Sequence, residues 1–193
     1  MMSVDGSAKQ HRQDTCAIFL EYFNNMKVSM EQKFNNAIYS LDGVFEVIRK
    51  RKTNWDIVSI RDSGCPGVYG VFDIYHENFN SIICEEFDDI ESPDDELKVV
   101  TRAKITRILK WAKGKNNIVV HCTAGISRSS AIAYLIACSR MPASEAIKIL
   151  NPNIHSPNTL VVFHGIKILK DMTIYEHYKK WLRKADEEDC KNI

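Results

Sequence analysis

An α/β domain with a central, partly parallel sheet flanked by helices is the fold class this sequence predicts. Three observations carry that expectation. Short apolar runs rich in branched residues recur at WDIVSI (55–60), SIICEEF (81–87) and IVVH (118–121). Longer stretches of helical period lie between and after them, and strands that alternate with helices pack around a shared sheet. A chain of 193 residues fills one domain with a substantial core and is short for two.

Each element has its own local reason. Residues 1–14 are polar and read as a loose leader. From Thr15 to Met26, the spacing of Ile18, Phe19, Tyr22, Phe23 and Met26 suits a short amphipathic helix. The apolar positions Val28, Met30 and Phe34 give no assignment. Ser40-Leu41-Asp42 can cap a helix that runs through Phe45, Val47 and Ile48 into the basic run RKRK. Such cations suit the partial negative charge of a helix C-terminus and outweigh a phospholipid or nuclear-import reading. After the strand WDIVSI, the segment RDSGCPG supplies turn residues, and GVYGVFDIY (67–75) reads as a second strand or hairpin piece.

SIICEEF then runs into the acidic stretch DDIESPDDE. A helix is predicted from about Pro93, with Asp94, Asp95 and Glu96 in its first turn, and Gly114 ends it. IVVH is a buried strand, followed by a loop and an apolar helix from about Arg128 to Cys138. Pro142 and Ser144 open another short helix. Ser156-Pro157-Asn158 predicts a serine cap with proline in the first helical position. The last helices end near Lys184, and 185–193 reads as a frayed tail. The domain proper is therefore expected over 15–184, including an N-terminal helical extension.

Composition excludes several classes. The formal charge is +1, so non-specific nucleic-acid or membrane binding is not the expected task, and no stable nucleic-acid partner is expected. No apolar stretch is long enough to cross a bilayer, and MMSVDGSAKQHRQD lacks the apolar stretch of a secretory signal. Six cysteines (Cys16, Cys65, Cys84, Cys122, Cys138, Cys190) in a chain this size read as free thiols in a reducing cytoplasm rather than a disulfide framework. There is no CxxC pair or tight His/Cys cluster, so no metal site and no cofactor are expected.

The reactive segment is HCTAGISRS, 121–129. A cysteine ends a buried strand, and an arginine opens a helix six positions on, with Gly125 between them. A tight loop from strand to helix N-terminus can aim several backbone N–H groups at one anion, helped by the partial charge of the helix start. Arg128 can add two parallel hydrogen bonds to a phosphoryl group. The same field favours a thiolate at Cys122. Ser129 can donate to that sulfur, and His121 is placed to orient the loop rather than to act as a base. Cys84 and Cys138 read as ordinary buried thiols.

This string resembles the signature loop of the cysteine-based protein tyrosine phosphatases: His-Cys, five residues, Arg, then Ser or Thr. The stretch HCTAGISRSSAIAYLIACSRMPASEAIKIL and the later SPN look most like the dual-specificity branch. The resemblance is strong over 118–160, weaker over 81–117 and absent before about 55. It implies a protein tyrosine phosphatase-like fold and a phosphocysteine intermediate on Cys122. It also implies a phosphate cradle of Thr123, Ala124, Gly125, Ile126, Ser127 and Arg128, and no metal.

The reaction also needs an acid for the leaving oxygen and a base for water. In the resembled family that group follows a strand, roughly thirty residues before the cysteine. Asp89 lies 33 residues before Cys122 and two after Phe87, and is preferred. Asp88 is the first alternative, then Glu91 or Asp94. Uncharged side chains at Thr123, Ala124, Ile126 and Ser127 point to a phosphorylated protein substrate: phosphotyrosine, with phosphoserine and phosphothreonine open. The alternatives are a phosphoinositide or RNA 5′-phosphate phosphatase with the same loop, a non-catalytic phosphopeptide-binding module, and arsenate reduction, for which no nearby resolving cysteine follows.

Overall fold

The computed structural model describes residues 34–64, 69–92 and 97–189. The helix expected at 15–26, the leader before it, and Cys16, Cys65 and Cys190 lie outside the described residues. Four strands, β1 (Asn35–Ser40), β2 (Asp56–Arg61), β3 (Ser81–Glu86) and β4 (Asn117–Cys122), form one sheet in the order β1-β4-β2-β3. All three pairings are parallel, with Ser40 opposite Cys122 and Ser59 opposite both His121 and Cys84. A parallel sheet is covered on both faces, which is why β2 is buried at every position, the polar Asp56, Ser59 and Arg61 included.

Alternate side chains go to opposite faces. On one face, Ile57 and Val119 join Val44, Phe45 and Ile48 of helix α1 (Leu41–Lys50), Phe72 of α2 (Tyr69–Ile74) and Phe79. On the other side lie α3 (Arg102–Ala112), α4 (Arg128–Cys138) and α6 (Thr159–Leu169). There α4 contacts β1 and β4, while α3 and α6 pack on α4. Ten of the eleven α4 residues are buried, as expected for a helix apolar on all sides. The short α5 (Ala143–Ala146) and the long α7 (Thr173–Asp189) complete the set.

Several boundaries differ from the sequence expectations. β1 was given no assignment; it enters the sheet beside β4 although NNAIYS carries only three apolar residues. The segment expected as a strand at 67–75 contains α2, because six apolar-rich residues between turn signals do not separate period 2 from period 3.6. The helix expected from Pro93 begins at Arg102, where Thr101 caps it by accepting the Lys104 N–H at 3.4 Å. Residues 97–101 are not helical, and 93–96, with Asp94, Asp95 and Glu96, lie outside the described residues. The cap of α6 is Asn158 rather than Ser156: its side chain accepts the Val161 N–H at 3.0 Å. Finally, α7 runs to Asp189, past Lys184. Ser40 caps α1 as expected, accepting the Gly43 N–H at 3.2 Å.

Candidate active site

The C-terminal edge of the sheet positions every reactive group. β4 delivers Cys122, and five loop residues later α4 begins with Arg128. Carbonyl oxygens of the loop are drawn outward. Thr123 O accepts from Leu41 N (3.2 Å), Ile126 O from Ser156 N (3.2 Å), and Ser127 O from Asn158 N (3.3 Å). The Ser130 hydroxyl also donates to Ile126 O and Ser127 O. In a planar trans peptide the next N–H points opposite to the carbonyl. Outward oxygens at 123, 126 and 127 therefore turn the N–H groups of Ala124, Ser127 and Arg128 inward.

Gly125 closes this nest. Its φ is +79°, and a Cβ there would lie 2.6 Å from Ser40 N and 2.7 Å from Tyr39 C. Only glycine satisfies both the conformation and the close approach to the β1–α1 junction. The Gly125 N–H then reaches Cys122 Sγ at 3.3 Å, and Ser129 Oγ lies 3.2 Å from the same sulfur. Cys122 is 2% exposed, seated under the loop.

Arg128 is also buried. Its Nη1 donates to Phe87 O (2.9 Å) and pairs with Asp62 Oδ1 (2.7 Å), and its Nη2 reaches Thr123 Oγ1 at 3.3 Å. Its Nε has no hydrogen-bond partner among the described residues. Thr123 Oγ1 donates to Asp62 Oδ2 at 2.7 Å.

The two adjacent aspartates take different places. Asp89 Oδ1 accepts from Ser127 Oγ (2.7 Å) and Asn158 Nδ2 (2.9 Å), while Oδ2 lies 3.9 Å from Arg128 Nε. Asp88 is buried and accepts from Ser63 N (2.8 Å), Ser63 Oγ (2.5 Å) and Lys98 N (2.7 Å). Burial works to raise the Asp88 pKa, but those hydrogen bonds and the nearby Arg128 charge outweigh it and hold the carboxyl below its ordinary value. Glu91 Oε1 accepts the Thr159 N–H at 2.8 Å, a second tie between the acidic loop and the start of α6.

His121 is fully buried and stacks on Phe72, with ring centroids 5.5 Å apart. Neither ring nitrogen meets full hydrogen-bond geometry with a described residue, while the adjacent Cys122 backbone acts on the ring to favour its charged form, against the larger effect of burial. Burial pushes its pKa down to about 4. Cys84 and Cys138 are free thiols whose pKa values are raised by burial, Cys138 to about 12. Among the described residues no group of three or more His, Cys, Asp or Glu side chains could hold a metal ion. No helix there is long and apolar enough to cross a membrane.

The structure therefore brings Cys122, Arg128, Ser129 and Asp89 to one place with the loop 123–127. Two members were missed in the sequence. Asp62 follows β2 directly, at the C-terminal edge where ligands bind in α/β sheets, and that position was its signal. Asn158 was read only as part of a helix start; the side chain also holds the acidic loop, donating to Asp89 and to Ile90 O at 3.4 Å. A cavity of about 220 Å³ beside Cys122 is lined by Leu41, Ile60, Asp62, Cys122 and Thr123, among others.

Residues 22–173 match the family described as dual specificity phosphatase, catalytic domain. Similar solved structures include a mutant form of Tk-PTP (17% identity, TM-score 0.45, covering 75% of this chain and 92% of that one). PTPMT1 in complex with PI(5)P is another (12%, 0.45, 74% and 94%). A third is the human tyrosine phosphatase-like serine/threonine/tyrosine-interacting protein (16%, 0.42, 64% and 80%). No curated protein matches the sequence.

Proposed function

Because the chain belongs to the dual specificity phosphatase catalytic-domain family, we propose that it hydrolyses phosphorylated proteins through a phosphocysteine on Cys122. The observation that carries this reading is the loop 123–127, whose carbonyls are drawn outward around a buried cysteine. The inward N–H groups and the Nε edge of Arg128 take the three non-bridging phosphoryl oxygens. Cys122 Sγ attacks phosphorus in line with the bridging oxygen, forming the S–P bond as the P–O bond breaks. Asp89 Oδ2 gives its proton to the departing oxygen. Water then attacks the phosphocysteine with Asp89 as base, the thiolate leaves, and inorganic phosphate is released. The Ser129 hydroxyl, 3.2 Å from Sγ, stabilises that leaving thiolate.

The substrate reading rests on charge. The side chains of the loop are uncharged before Arg128, and two carboxylates, Asp62 and Asp89, flank the guanidinium. A second phosphate on a phosphoinositide or next to an RNA 5′ end would face these acids, whereas a single phosphotyrosine in a peptide would not. A parallel assay of phosphopeptides, inositol phosphates and RNA 5′ ends tests this. Turnover of phosphotyrosine peptides above both other classes is expected; preference for either polyanion would overturn the substrate assignment. A cytoplasmic location belongs to the same reading.

A further inference from the structure

The guanidinium of Arg128 has two edges, and the protein treats them differently. The Nη1 nitrogen is committed: it donates to Phe87 O at 2.9 Å and pairs with Asp62 Oδ1 at 2.7 Å. The opposite edge carries Nε–H and one Nη2–H in parallel, the fork that matches two oxygens of a phosphoryl group. Nε is buried and makes no hydrogen bond among the described residues, only a looser ion pair with Asp89 Oδ2 at 3.9 Å, and Arg128 itself is only 4% exposed. A buried, unpartnered N–H on a guanidinium is costly unless a ligand completes it. The edge whose Nε–H makes no hydrogen bond is the edge a phosphate needs.

Asp62 is what fixes that choice. It is the first residue after β2, and its second oxygen, Oδ2, accepts from Thr123 Oγ1 at 2.7 Å. Thr123 Oγ1 in turn accepts from Arg128 Nη2 at 3.3 Å. The carboxylate thus spans the first and last residues of the cradle, Thr123 and Arg128, from a separate strand. An arginine side chain has several rotatable bonds, and a phosphate alone would have to order all of them on binding. We propose that Asp62 is a positioning residue: it locks Arg128 with its Nε–Nη2 edge toward the phosphoryl group before substrate arrives. This rests on the phosphatase reading above and adds to it a residue that touches neither substrate nor nucleophile.

Two substitutions separate positioning from charge. Asp62→Asn keeps the shape; its Oδ1 still accepts from Nη1, and its amide can donate to Thr123 Oγ1. Asp62→Ala removes both contacts. Binding of vanadate and hydrolysis of p-nitrophenyl phosphate are measured for each, with thermal melting as the fold check. Asp62→Ala is expected to weaken vanadate binding about tenfold and to lower kcat/KM roughly 10- to 100-fold. Asp62→Asn should stay within about threefold of the wild type in both, since the hydrogen bonds that orient the arginine are kept. In an Arg128→Lys background, Asp62→Ala should cost little more, because the fork it orients is gone.

If both Asp62 variants bind vanadate more tightly and turn over faster, the carboxylate is a competitor of phosphate and the proposal fails. If Asp62→Ala behaves as wild type, the proposal also fails. Should Asp62→Ala not fold, Thr123→Val unhooks the carboxylate from the cradle at nearly constant volume. It is expected to weaken vanadate binding in the same direction, and unchanged binding in that variant would overturn the assignment. A wild-type protein that neither binds vanadate nor hydrolyses the ester would instead remove the phosphatase reading itself, a distinct outcome.

Discussion

The adjacent pair Asp88 and Asp89 shows how neighbouring, chemically identical side chains acquire different tasks. Successive residues on an extended segment point opposite ways. One carboxylate turns inward to three donors, and the other turns to the loop at Ser127 and to Asn158. Asp89→Asn is expected to lower turnover roughly 10²–10⁴-fold with poor leaving groups. The loss should shrink with good ones, and the fold should be kept; a series of aryl phosphates measures it. Asp88→Asn should act on stability instead. An amide offers one acceptor oxygen where Ser63 and Lys98 supply three hydrogen bonds, so a loss of about 1–3 kcal/mol is expected in urea unfolding, with no dependence on leaving group. The leaving-group dependence appearing in Asp88→Asn alone would move the acid by one residue. The sequence offers both aspartates at the separation from Cys122 that the resemblance implies; it cannot show which member faces the loop, because the donors come from Ser63, Lys98 and Asn158, distant in the chain.

His121 makes a second residue-scale case. Burial holds its native pKa near 4, below the value of about 6.5 in an unfolded chain. Between those values the unfolded chain binds a proton that the native one does not. Stability from this group is therefore complete above about pH 6.5 and is lost as pH falls toward 4. The shift corresponds to something on the order of 3 kcal/mol. Burial lowers His155 and His164 in the same direction. Urea unfolding at pH 7 and pH 5 should show the decline, and His121→Phe should flatten most of it. An equal slope in the variant would contradict the account.

At the scale of elements, the loop is as much a product of β1, α1 and α6 as of its own sequence. Gly125 fits because the Ser40 and Tyr39 backbone passes where a Cβ would be. Gly125→Ala must both hold a positive φ and displace that backbone, a strain of order 1–3 kcal/mol before the collision is counted. Lower thermal stability and a loss of turnover of at least tenfold are expected; a variant of wild-type stability and rate would show that the loop does not depend on this contact. The elements that escaped sequence reading are those defined by partners. β1 has too few apolar residues to announce itself and is made a strand by pairing with β4. The acidic run at 94–96 looked like a first turn, while the cap that operates, Thr101, lies beyond it. Ser156 and Pro157 supplied the right signal two residues early, since Asn158 makes the capping hydrogen bond. By contrast α4 and β4 were legible to within a residue, because both are apolar enough to fix their own type.

Across the whole molecule, the strand order β1-β4-β2-β3 sets β4 between two parallel neighbours and brings four segments to one edge. Asp62 arrives from β2, Asp89 from the loop after β3, Cys122 from β4, and Asn158 from the start of α6. The fold class was legible from alternating runs, and the loop 121–129 from a local string; its convergence with groups from other segments was not, because that depends on strand order, which no single segment encodes. The proposed turnover passes through an S–P bond at Cys122. Rapid acid quench during hydrolysis of a phosphotyrosine peptide, followed by mass spectrometry of the peptide containing Cys122, tests it most directly. One phosphoryl group on Cys122 is expected within the first turnover, and none on that peptide in Cys122→Ser, which still binds vanadate. Full turnover with no label on Cys122, or substantial hydrolysis by Cys122→Ser, would contradict it.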